Sequence, residues 1–184
     1  MRLLALFGAC VALLVAAPAG ALSLTTAKIR WKNGSVTRIG SLDLSRTPTI
    51  KRVSDVFGRP TSKRLANKVL CVVDWRTLGV RGNFVNLGAP RRGRTTCSTT
   101  VGKLQTAEIR GRRWRTQNGL AVGDSVARLR KLHPDARRHG TTWWLATKAS
   151  QLGGDGSGRI PIVRANVKDG KVTVFVLWIG AAGE

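Results

Sequence analysis

Two short stretches limit this chain more than any other feature. Each puts apolar residues on one helical face between a cap and a breaker, then runs on into strand-like sequence. In the first, Thr47 and Pro48 read as an N-cap followed by a first helical residue. Ile50, Val53, Val56 and Phe57 then share one face, Gly58 is placed to end the helix, and Pro60 prevents its resumption. In the second, Asp124 reads as the cap, Val126, Leu129 and Leu132 form the face, and Pro134 ends it. Leu42-Asp43-Leu44 with residues 49–58 aligns with Leu120-Ala121-Val122 and residues 125–134, given a two-residue insertion near Thr47. The spacing points to an internal repeat of roughly 76 residues.

Strand signals surround both helices. Residues 26–31 alternate apolar and polar, Asn33-Gly34 supplies a turn, and Val36 to Ile39 alternates again, the strongest short-range hairpin pattern. Residues 69–75 and 80–87 read as strands, as do residues 104–110 with Trp114, and residues 141–147 around Trp143-Trp144-Leu145. Of the tryptophans, Trp75, Trp144 and Trp178 are expected in the core. Residues 88–103 are turn-rich, and residues 153–158 form a Gly-rich loop. Residues 160–167 and 172–179 make a second hairpin about Asp169-Gly170.

The chain begins with Arg2, an apolar run over residues 3–17, Pro18 and then Ala19-Gly20-Ala21. That order matches the charged region, apolar region and small-residue cleavage site of a secretory signal peptide over residues 1–21. The run is short for a membrane helix, which needs about 20 residues; retention as an anchor is the alternative. After cleavage two cysteines remain, Cys71 and Cys97, which suit one disulfide in an oxidising compartment. Two buried free thiols are the alternative. The expected organisation is α+β: a leader (1–21), a helix-plus-β-meander half (22–115) and a second such half (116–184), forming one sheet-rich domain.

The segments 44–60 and 119–134, with the strands after each, resemble the SmpA/OmlA lipoprotein fold. The carrying pattern is an apolar pair, a cap, a short amphipathic helix ending in Phe-Gly-x-Pro and a β-meander; in tandem it resembles the β-lactamase-inhibitory-protein architecture. The resemblance spans most of the mature chain and implies a non-catalytic protein that binds other proteins with its sheet or loops. Two departures stand out. The lipobox of the SmpA/OmlA proteins is missing, and the inhibitors carry a disulfide in each half where this chain has one pair. The helix-then-strand segments also resemble secreted proteins of high-GC bacteria, which adds no activity.

Charge narrows the partners. The chain has 32 Lys and Arg against 9 Asp and Glu, a formal net charge of +23. A field of that sign draws nucleic acid, anionic lipid headgroups or acidic envelope polymers; a solvated basic surface set by an Arg-rich composition is the plain alternative. The densest basic stretch holds Arg91, Arg92, Arg94, Lys103, Arg110, Arg112, Arg113 and Arg115 around Trp114, opposed by Glu108. Guanidinium forks grip phosphate or carboxylate, and an adjacent indole adds stacking. Arg91, Arg92, Arg94, Arg110, Arg112, Arg113, Trp114 and Arg115 are therefore the candidate binding residues, with Trp114 in the core as the competing reading.

Catalytic patterns are poor. Gly123-Asp124-Ser125 opens like a GDSL hydrolase block, but Asp124 reads as a helix cap and no Asp-x-x-His follows. His133, Asp135 and His139 lie among Arg130, Lys131, Arg137 and Arg138, whose charge repels a divalent ion. Asp74 and Glu108 more plausibly pair with arginines than act as an acid/base couple. The Gly-rich loop lacks the Lys-Ser/Thr and the helix of a phosphate cradle. The chain is thus expected to be non-catalytic, without metal or cofactor. Its partner would be a protein or an anionic envelope component, with non-specific nucleic-acid binding possible in principle and no transmembrane span after cleavage. An inhibitor of a secreted enzyme and an undetected hydrolase acting through Ser125 are the other two readings.

Overall fold

The computed structural model describes residues 27–87, 95–150 and 158–180. The leader, Arg91, Arg92, Arg94 and residues 153–157 of the Gly-rich loop lie outside the described residues. Within them the chain is sheet-rich α+β, with two short helices and twelve strands. It opens on β1 (Lys28–Lys32) and β2 (Ser35–Ile39), joined at Asn33 and Gly34 with φ of 50° and 72°. Positive φ at both central residues is what a type I′ turn requires. The short β3 (Leu42–Asp43) and β8 (Arg115–Thr116) complete a four-stranded sheet in the order β3-β2-β1-β8. Its pairs are antiparallel except β1 with β8, which run parallel.

Helix α1 (Ile50–Phe57) precedes β4 (Ser62–Asn67), β5 (Leu70–Trp75), β6 (Val80–Val85) and β7 (Lys103–Ile109). Helix α2 (Val126–Leu132) precedes β9 (Arg137–His139), β10 (Thr142–Ala149), β11 (Arg159–Lys168) and β12 (Lys171–Trp178). These eight strands form one antiparallel sheet in the order β4-β5-β6-β7-β12-β11-β10-β9. The first four run in chain order, the last four in reverse, and the two sets meet where β7 pairs β12.

Both helices form where their apolar spacing demands, but the caps differ from expectation. Thr49, not Thr47, caps α1: its side chain accepts from the Arg52 N–H. Pro48 instead has its carbonyl taken by the Leu104 N–H, which fixes the start of α1 against β7. Ser125, not Asp124, caps α2 by accepting from Arg128 N. The Asp124 carboxylate turns back to the Ala121 N–H and to Arg128. Gly58 ends α1 at φ 81°, a conformation costly for residues with a Cβ.

The core joins the inner faces of both sheets with Ile50, Val53 and Phe57 of α1 and Leu129 of α2. Trp75 is buried, and its Nε1 donates to the Gly58 carbonyl. Two expectations about tryptophan fail: Trp178 is 37% exposed, and Trp144 is half-buried and stacked on His139, while its neighbour Trp143 is the buried one. Four strands were not expected: β3 and β8 have two residues each, β9 three, and β4 is an edge strand whose six residues include none that is buried. Cys71 and Cys97 form a disulfide with Cα atoms 5.1 Å apart.

Candidate anion-binding surface

The segment between β7 and β8 carries four of the expected binding residues. It is held by contacts to the 3-10 turn Arg76–Leu78 that follows β5. Gly79, at φ 63°, and Gly111 lie so close that a Cβ on Gly79 would collide with the Gly111 backbone nitrogen. The Arg110 N–H donates to the Gly79 carbonyl, and the Arg113 guanidinium donates to the Thr77 carbonyl at 2.9 Å. Trp114 completes the attachment. It is fully buried, its Nε1 donates to the Leu78 carbonyl at 2.7 Å, and its ring meets Phe57 edge-on. Trp114 is therefore withdrawn from the candidate binding residues, because an indole with no exposed face cannot stack on a ligand. It is the plug that seats the arginine segment.

The three arginines of the segment and Arg115 of β8 are exposed but not equivalent. Arg110 is engaged by Glu108 at 2.7 Å. Arg113 is tied to Thr77, and Arg115 reaches the Gly119 carbonyl at 3.5 Å. For Arg112 no ion pair or hydrogen bond is present among the described residues.

A second basic surface was missed in the sequence. In β1 the inward Ile29 and Trp31 alternate with exposed Lys28, Arg30 and Lys32. Register places Lys28 beside Arg115 of β8, and Arg30 opposite Arg38 of β2. Like charges directly opposite on neighbouring strands are destabilising, and here two such pairs occupy one small sheet. Asp43 of β3 is the acidic neighbour of Arg38 in the same row. Its carboxyl is held below the usual range, first by hydrogen bonds from Ser45 and then by the charges of Arg38 and Arg52.

The arginine pair has a specific origin. A two-residue turn at Asn33-Gly34 sets Lys32 opposite Ser35 and Trp31 opposite Val36. Unbroken pairing would then bring Arg30 against Thr37. A register shift between Arg30 and Trp31 moves Arg30 on to Arg38, as an irregularity of the bulge type does. Alternation alone carried no sign of that shift. The basic residues at outward positions of β1 were the only available signal.

The catalytic candidates are otherwise employed. Ser125 Oγ is occupied as the α2 cap. His133 is buried; it lies 3.0 Å from Thr116 Oγ1 and stacks on Trp31, and burial lowers its pKa. Asp74 pairs with Arg81 at 2.7 Å and also accepts from Ser62, which together lower its pKa. Among the described residues no three His, Cys, Asp or Glu side chains gather as metal ligands, and no helix is long and apolar enough to cross a membrane. Comparison with family models, curated proteins and solved structures finds no match.

Proposed function

We propose that this chain is an exported, non-catalytic binding protein that holds an anionic polymer of the cell envelope on the outer face of its small sheet. The observation that carries the reading is the matched placing of cation against cation, Arg30 with Arg38 and Lys28 with Arg115. A strand pair that only had to fold would gain from opposite charges at these positions. Alternate residues of a strand lie about 6.8 Å apart, so β1 presents a line of charge suited to an extended polyanion. The disulfide fits an oxidising, extracytoplasmic setting, in keeping with residues 1–21 acting as an export signal.

The test sets binding against stability. Lys28→Gln with Arg30→Gln should leave the melting temperature equal or higher, because the facing repulsion is removed. The same variant should lower retention on an anionic polymer and flatten the fall of log K with log salt by about two charges. Unchanged retention with an unchanged salt slope would discard the surface.

A second reading is supported by the topology. We take α1 with β4–β7 and α2 with β9–β12 as two copies of one unit, SmpA/OmlA-like in form. Their reversed strand order about β7 and β12 accords with the tandem inhibitor architecture. An inhibitor of a secreted enzyme would show tight, salt-insensitive, one-to-one capture of that enzyme, where the polyanion reading expects steep salt dependence.

A further inference from the structure

The turn between β11 and β12 borders a groove of about 450 Å³ that is separate from the small-sheet face. Lys168 and Lys171 line it from the two sides of the turn and are directly paired across the strands, a third cation facing a cation. Arg112 reaches the same groove from the segment before β8, alongside Gly123, where a Cβ would stand 3.9 Å from Arg112 Nε. Val122 and Val172 give it apolar wall, and Asp169, at the turn itself, adds one carboxylate.

From this donor set we infer that the groove is a discrete site for a phosphate ester of a polyhydroxylated carbon chain, such as a glycerol or sugar phosphate. Three cations exceed what a single carboxylate ligand needs and suit a phosphoryl group, which a guanidinium can grip through two parallel hydrogen bonds. The single carboxylate would repel a bare anion yet accept hydrogen bonds from hydroxyls beside the phosphate. The valines supply contact for the carbon skeleton. The groove therefore favours the ester over either of its parts.

Titration calorimetry at low salt tests this with three probes: glycerol 3-phosphate, inorganic phosphate and glycerol. Saturable binding should be strongest for the ester, weaker for phosphate and undetectable for glycerol. Lys168→Gln with Lys171→Gln should lower ester affinity at least 10-fold, since two cations leave the site. Arg112→Lys should lower it several-fold, because an ammonium keeps the charge but not the fork. Asp169→Asn is the decisive variant. Asp169 sits at φ 50°, which asparagine also tolerates, so the turn is kept. This change should strengthen inorganic phosphate and narrow the preference for the ester, because the added amide donor no longer repels a bare anion. Lys28→Gln with Arg30→Gln should leave ester binding unchanged, which separates this site from the small-sheet face.

A polymer of the same unit that competes with the free ester would assign the groove to polymer ends; one that fails to compete would assign it to the free ester, and both results support the site. No saturable ester binding, indifference to the double lysine variant, or an ester preference undiminished by Asp169→Asn would overturn it.

Discussion

At the scale of the residue, Trp114 joins the sequence's basic cluster to the fold. Its indole is enclosed and its Nε1 donates to the Leu78 carbonyl, so the arginines on either side are turned outward by a buried anchor. Trp114→Phe keeps most of the ring and leaves that carbonyl without its donor. The expected cost is about 1–3 kcal/mol, read from urea unfolding, while Trp114→Ala should cost about 3–5 kcal/mol. Basic residues flanking an aromatic look the same in a sequence whether the ring stacks on a ligand or fills the core, and only the contact with Leu78 decides. His133 behaves differently. Burial lowers its pKa, so as pH falls the unfolded chain takes up the proton first. Stability should be full above the unfolded value of about 6.5 and decline as pH drops below it. Chemical denaturation from pH 7.5 to 5 should follow that decline, and His133→Asn should flatten it.

Elements were legible where periodicity and turn chemistry agreed. Both Asn33-Gly34 and Asp169-Gly170 form the hairpins their residues demand, with positive φ at all four positions. Both helices lie on the apolar faces read from spacing. The caps were misread by one or two residues because Thr47, Thr49, Asp124 and Ser125 can all accept a backbone N–H, and neighbouring contacts choose among them. Strand β4 was illegible for another reason: as an edge it is solvated on both sides, so Ser-Lys-Arg-Leu-Ala-Asn shows no alternation. Lys63 and Arg64 there are the kind of charge that discourages pairing with another chain. The small-sheet cation rows depend on register, which a shift of one residue alters. For the GDSL-like triplet, Ser125→Ala should cost about 1 kcal/mol as a lost cap, visible in thermal melts. A hydrolase acting through this residue would lose its turnover as well.

For the whole molecule, the disulfide ties β5 to the segment before β7 across a separation of 26 residues. Closing a loop of that length stabilises by about 3.5 kcal/mol in the chain-entropy model. Reduction, or Cys71→Ala with Cys97→Ala, should lower stability by that order, measured as a shift in the denaturant midpoint at constant slope. The α+β class and the short helices were readable from the chain; the single eight-stranded sheet was not, because no local pattern says that β7 will lie beside β12. That seam is four residue pairs long, from Phe175 opposite Ile109 to Trp178 opposite Thr106. The covalent bond lies wholly on one side of it. Pulled apart or partly denatured, the protein should tear along this line, leaving a cross-linked fragment that keeps its shape and an untethered one that loses it first.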